Sequence, residues 1–159
     1  MTRVYLDHNA TTPPRPEALE AALPYLSERS GNPSSASLEG SRAREAVEEG
    51  REHLACLLRA RPEEIVFTSG GTESDNLAIR GALEANAPRG AHLVITAVEH
   101  PAVREAALHA GRSGARLTVL HVSSDGMIDP ALVEEALAPD TVVVSCMYAN
   151  NETGVLFPV

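Results

Sequence analysis

Apolar residues recur along this chain with two periods, and the switching between them lays out its elements. Ile65 to Thr68, Leu93 to Val98, Leu117 to Val122 and Thr141 to Tyr148 are short runs rich in β-branched and aromatic residues, bounded by turn residues, and they predict four strands. Helical spacing appears between and before them. Leu19, Ala22, Leu23 and Leu26 mark a helix from Glu17 to Ser27 that Pro24 must kink or end. Ala43, Val47, Leu54, Leu57 and Leu58 give the inner stripe of a helix over Leu38 to Arg59, whose charged residues form its solvated face. A third helix, from Glu73 to about Ala87, turns Leu77, Ala78, Ala82 and Leu83 inward. The fourth starts at Pro101, buries Val103, Ala106, Ala107 and Ala110, and closes at Gly111 and Gly114. Pro130 to Leu137 is a short fifth, with Leu132, Val133 and Leu137 inward.

Strands alternating with helices predict an α/β fold with right-handed crossovers, a mainly parallel sheet and a ligand crevice beyond the carboxyl ends of the strands. Three polar clusters fall at that end: Ser69 to Asn76, Glu99-His100 and Asn150-Asn151-Glu152. In the first, Gly70 and Gly71 permit positive φ and close backbone approach, Thr72 is suited to cap the third helix, and Asp75 stands in the capping-box position. Such a turn aims backbone N–H groups and the positive end of a helix dipole at one point, which suits a phosphate. Taken singly, each cluster has a plainer reading: an ordinary strand-to-helix turn, a histidine capping the helix at Pro101, and asparagines in a turn. Three together predict a shared pocket that can hold a planar aromatic phosphate, with the phosphate on the N–H groups, the ring against His100 and a ring oxygen on Asn151.

Composition narrows the choice. A length of 159 residues with 43% hydrophobic ones suffices for one ordinary domain. The net charge of −9, with scattered arginines, argues against nucleic acid or an anionic membrane as partner. The longest apolar run is too short to span a bilayer and Met1 to Ala10 lacks a secretory segment, so a cytoplasmic location is expected. The histidines show no metal-ligand spacing, and no metal site is expected. Cys56 and Cys146 are expected to be buried structural thiols. Every basic residue counted is arginine: with no lysine, the chain cannot hold a carbonyl compound as an imine on a lysine side chain.

Five motifs then occur in order: Tyr-Leu-Asp-His-Asn-Ala-Thr-Thr at 5–12, Gly-Asn-Pro-Ser-Ser at 31–35, Phe-Thr-Ser-Gly-Gly-Thr-Glu-Ser-Asp-Asn-Leu-Ala at 67–78, Glu-His at 99–100 and Ala-Asn-Asn-Glu-Thr-Gly at 149–154. Together they resemble the cysteine desulfurases of the class V aminotransferase group. The resemblance implies the three-layer large domain of fold type I of the pyridoxal-phosphate enzymes, with a mainly parallel sheet that is incomplete at the C-terminus. Residues 1–159 would be the N-terminal part of that domain, 1–35 being an extended and helical leading segment, with the small C-terminal domain absent.

The same resemblance implies pyridoxal 5′-phosphate as cofactor, L-cysteine as substrate, its conversion to L-alanine with sulfur leaving as a persulfide for iron-sulfur cluster or thio-cofactor synthesis, a sulfur-acceptor or scaffold protein as partner, and a homodimer at full length. Gly71 and Thr72 would hold the cofactor phosphate, His100 would stack on the ring and assist proton transfer, and Asn151 would bond the ring's phenolic oxygen near substrate. Asn32, Ala10 and Thr11 would border the substrate carboxylate. The family's pyridine-pairing aspartate, its Ser-x-His-Lys segment and its sulfur-accepting cysteine follow the Asn-Asn-Glu motif and are not in this chain, so the chain alone is expected to be inactive. Ser37 departs from the family, many members of which have histidine there. Two alternatives stand beside this: another class V enzyme, such as a selenocysteine lyase or an aminotransferase, and a non-catalytic interaction fragment.

Overall fold

A computed structural model describes residues 4–159, so the Met1 end of the segment considered for a secretory signal lies outside the described residues. The chain divides into two compact units, up to Phe67 and from Thr68 onward.

The first unit carries two helices, α1 (Pro16–Ala22) and α2 (Leu38–Leu58). Pro24 acts as expected: α1 tightens there into a 3-10 turn over Leu23–Leu26. Ser37 begins α2, its hydroxyl accepting from the Gly40 N–H at 3.1 Å, so the residue that departs from the family serves here as a helix cap. Gly40 is where the Asn32–Ser35 loop closes on α2. A Cβ there would stand 2.5 Å from the Ser35 carbonyl oxygen and 2.8 Å from that of Asn32. The inner stripe of α2 differs from the expected one. Gly40, Ala43 and Ala55 are buried, whereas Leu57 and Leu58 are 76% and 64% exposed and Cys56 is exposed as well. At Gly40 and Ala43 the small residues win the contact because the loop approaches too closely for a leucine.

Ile65 to Thr68 is not a strand. Val66 and Phe67 are largely exposed, and Arg51 donates to the Ile65 carbonyl while its guanidinium lies 4.9 Å from the Phe67 ring centroid. A strand exists only with a neighbour to take its backbone hydrogen bonds, and no segment among the described residues lies alongside this one.

The second unit alternates helix and strand: α3 (Gly71–Ala85), β1 (His92–Thr96), α4 (Pro101–Arg112), β2 (Arg116–Leu120), α5 (Pro130–Ala136) and β3 (Thr141–Ser145). The sheet is parallel, in the order β2-β1-β3. The chain leaves β1 for one side and returns on the other, so the strand order reverses between β1 and β3, where the ligand crevice of an open α/β sheet forms. All five residues of β1 are buried. Leu93 and Ile95 face a core of Ile79, Val103, Ala106, Ala107 and Ala110, with Leu83, Leu117 and Val143 packed against it. The alternate residue His92 bonds Thr141 on β3 at 2.7 Å and Thr118 on β2 at 2.9 Å, tying all three strands together.

Helix α4 buries the alanine-rich face expected of it but runs through Gly111 to Arg112. On α3 the buried residue is Ile79, with Leu83 beside it, and Leu77 is half exposed. That face differs from the expected one because Ile79, with Leu83, is what packs on the core of β1 and α4; the helix itself begins at Gly71, with Gly70 rather than Thr72 in the capping position. Leu132 of α5 and Leu137, which follows it, are also substantially exposed. Strand β3 ends at Ser145, earlier than Tyr148, because the chain turns there into a hairpin in which Phe157 N–H donates to the Tyr148 carbonyl and Asn150 N–H to that of Val155.

Candidate functional site

The site begins at Gly70, whose φ of +156° opens α3. Few side chains tolerate that conformation, and the first α3 hydrogen bond follows from it, Ser74 N–H to the Gly70 carbonyl at 3.1 Å. Gly71, Thr72 and Glu73 form the first turn, whose N–H groups have no acceptor within the helix. A Cβ on either Gly70 or Gly71 would meet nothing within 4 Å, so the approach to these donors is open. Glu73, and not Asp75, reaches back: its carboxylate accepts from the Ser69 N–H at 2.7 Å and the Ser69 hydroxyl at 2.6 Å, which holds it below the usual carboxylate range. A second lock comes from Thr68, whose hydroxyl bonds that of Ser74 at 2.7 Å. The turn is therefore set by side chains around it.

His100 caps α4. Its Nδ1 accepts from the Ala102 N–H at 3.1 Å, and the ring is exposed. Capping fixes the ring in the tautomer with the proton on Nε2 and leaves that nitrogen for a partner. Thr72, Asn76 and His100 line one cavity of about 380 Å³ between α3 and α4, with Glu105 and His109 also lining it. The expected pairing of the α3 turn with His100 is thus present within this unit.

Asn151 is not among the residues lining that cavity. It is exposed on the hairpin after β3, and Asn150 beside it is the residue that builds the turn. Asn150 is 7% exposed, and its Oδ1 accepts from Glu152 N–H, Thr153 N–H and the Thr153 hydroxyl at 2.9–3.1 Å. Its amide donates to the Val98 carbonyl at 3.3 Å. That bond ties the Asn151 turn to the segment leading into His100.

In the sequence, Glu99 stands out only as the neighbour of His100. It is 8% exposed, and its carboxylate accepts from the Thr96 hydroxyl at 2.7 Å, the Met147 N–H at 2.8 Å and the Ser145 hydroxyl at 3.1 Å. The signal available was indirect: hydroxyl residues closing two adjacent strands, with one acid between them. Burial, and then the Glu99 charge, push the Cys146 thiol above its ordinary value, a poor setting for a nucleophile.

The remaining candidates belong to the first unit. Asn32 Oδ1 accepts from the Ser34 N–H at 2.9 Å, an Asx turn that shapes its own loop. Ala10 and Thr11 sit in a turn whose N–H groups approach the Asp7 carbonyl, with the Tyr5 hydroxyl donating to the Thr11 carbonyl at 3.2 Å. A cavity of about 500 Å³ in this unit, lined by Tyr25, Arg29, Glu39 and Arg42 among others, contains none of the candidate residues. Among the described residues, no group of three or more His, Cys, Asp or Glu is placed to hold a metal ion.

Comparison with known proteins places this arrangement. A cysteine desulfurase IscS of Anaeromyxobacter sp. (strain K) is 49% identical over 98% of this chain and 39% of its own length. Cysteine desulfurase 2 of Trichormus variabilis is 48% identical over the whole chain and 40% of its own length. Among solved structures, a NifS-like protein superposes with a TM-score of 0.91 at 36% identity, over 99% of this chain and 43% of that one. SspA in complex with cysteine gives 0.87 at 36%, over 97% of this chain and 44% of that one. The chain thus spans about two fifths of the length of the curated relatives it matches. The family model for class-V aminotransferases matches residues 4–159, and the chain belongs to that family.

Proposed function

We propose that this chain provides the phosphate- and ring-facing part of a pyridoxal-phosphate-dependent cysteine desulfurase, which converts L-cysteine to L-alanine and passes the sulfur on as a persulfide. The observation that carries the reading is the meeting of Thr72 and His100 on one cavity at the carboxyl edge of the sheet. The group fits what is there. Open space in front of Gly70 and Gly71, and first-turn N–H groups without a helical acceptor, suit a phosphate that must be held without a lysine. Relatives named as cysteine desulfurases, and a structural neighbour described in complex with cysteine, support L-cysteine over another amino acid.

Pyridoxal phosphate, when bound, supplies the electron-accepting ring that labilises bonds at the amino-acid α-carbon. The chain's residues do the rest of what this part can do. Gly71 and Thr72 bind phosphate through backbone N–H groups and the threonine hydroxyl. His100 offers its ring face, and with Nδ1 committed to Ala102 it holds or moves a proton only at Nε2. The Asn151 carboxamide orients the ring oxygen. The sulfur acceptor is a second protein, and the full-length enzyme is a homodimer.

The test is a titration of the purified chain with pyridoxal phosphate, repeated with inorganic phosphate as competitor. Pyridoxal phosphate should bind more tightly than phosphate. Thr72→Ala should weaken both by about tenfold, the worth of one charge-assisted hydrogen bond, and His100→Ala should weaken pyridoxal phosphate alone. Equal affinity for the two ligands, unmoved by either substitution, would overturn the reading.

A further inference from the structure

The carboxyl ends of β1 and β3 lie on either side of the point where the strand order reverses, and a single buried side chain spans them. Glu99 takes a hydrogen bond from Thr96, the last residue of β1, and two from the β3 side, at the Ser145 hydroxyl and the Met147 N–H. The residue after Glu99 is His100. Met147 leads into the turn that Asn150 builds and on which Asn151 stands, and the Asn150 amide adds a bond back to Val98. Two independent links therefore join the His100 turn to the Asn151 turn, and the stronger, charge-assisted one converges on Glu99. A carboxylate buried this deeply is costly unless its oxygens are satisfied, and three donors, two of them fixed by strand ends, meet that demand in one geometry.

We propose that Glu99 is a positioning residue which sets the spacing between His100 and Asn151 by clamping the ends of β1 and β3 together. The proposal rests on the reading above that these two side chains face the cofactor ring. Glu99 acts through its neighbours and touches neither cofactor nor substrate. Its reach is specific: aspartate is one methylene short of spanning the strand ends, whereas glutamine keeps an oxygen for Thr96 and Met147 and turns its amide to Ser145, whose hydroxyl can accept.

The experiment compares Glu99→Ala, Glu99→Asp and Glu99→Gln in the 159-residue chain by residue-resolved amide hydrogen exchange and by titration with pyridoxal phosphate and with inorganic phosphate. Glu99→Ala and Glu99→Asp should speed exchange at Met147, Glu152 and Thr153 by about tenfold or more, with Leu93 to Ile95 unchanged, and Glu99→Gln should restore the slow rates. Pyridoxal phosphate affinity should fall in the Ala and Asp variants to that of His100→Ala, while inorganic phosphate binding at α3 stays as it was. Exchange that rises by one common factor across the sheet means Glu99 only contributes stability, and exchange unchanged at both turns means it clamps nothing; either result overturns the proposal. Should the unaltered chain bind pyridoxal phosphate no better than phosphate, the cofactor reading falls by itself, and the exchange pattern still decides whether the clamp exists.

Discussion

Gly70 and Gly71 are adjacent, and chemistry separates what each is for. Gly70 holds a φ that alanine adopts only with strain, and a Cβ there meets no neighbour, so its requirement is conformational and not steric. Gly70→Ala should destabilise the chain by about 1–3 kcal/mol, read as a lower urea midpoint. Gly71 is helical and also faces open space. Gly71→Ala should therefore leave stability unchanged or raise it by up to about 1 kcal/mol, because alanine restricts the unfolded chain. Its added methyl stands where a phosphate would approach, so phosphate affinity should fall in the same variant. Stability and affinity moving in opposite directions on one substitution would identify Gly71 as a ligand-facing position; a parallel fall in both would assign it to folding alone. Asn150 makes the converse case. Its buried amide is fully engaged, and Asn150→Ala should cost about 2 kcal/mol or more by stranding the Glu152 and Thr153 donors.

At the scale of elements, β1 is joined to both neighbours through a histidine, which gives the sheet a pH dependence. Burial, then the Arg116 charge, hold His92 below its ordinary value near 6.5, with Asp140 pulling the other way. The unfolded chain consequently takes up this proton first as the pH falls. Stability from neutral His92 is complete above the unfolded value and is lost as the pH drops from about 7 toward the lowered folded value. The urea midpoint should be lower at about pH 5.5 than at about pH 7.5, and His92→Gln, which keeps a donor and an acceptor for the two threonines but does not titrate, should flatten that difference. An unchanged slope in His92→Gln would exclude the histidine as its source. The elements themselves were legible to differing degrees. The alternation of strand and helix, the buried run at 92–96 and the alanine face of α4 follow from local periodicity, and so did the gathering of polar clusters at one edge. Ile65 to Thr68 has a strand's composition without a strand's neighbour, and pairing is not a local property. At the start of α3, Thr72 is the better capping residue by type, while Gly70 wins by φ. Glu99 is not legible because its donors come from the end of β1, the end of β3 and the segment just past β3, which meet only in the fold.

For the molecule as a whole, the apolar surface left open is the dominant fact. Leu57 and Leu58 on α2, Leu23 and Leu26 after α1, and Val66, Tyr148 and Leu156 are each more than half exposed. In the second unit, β3 pairs with β1 on one side and, among the described residues, has no strand on the other. An edge of this kind, rich in valine and carrying no charge between Thr141 and Ser145, presents unpaired N–H and C=O groups to any similar segment. The net charge of −9 opposes association at long range, but salt screens it over about 8 Å at physiological ionic strength, leaving the edge to act at contact. The chain should therefore associate increasingly with concentration, and more so as salt is added, when followed by light scattering. Val144 is the site to test, since it is 42% exposed on the edge strand, while Val143 before it packs against the core. A lysine there places a charge on the edge without opening a cavity. Val144→Lys should suppress the scattering while the far-ultraviolet spectrum stays the same. If scattering persists at its former level in Val144→Lys but disappears in Leu57→Glu, association runs through the open face of α2 and the β3 edge is not its route.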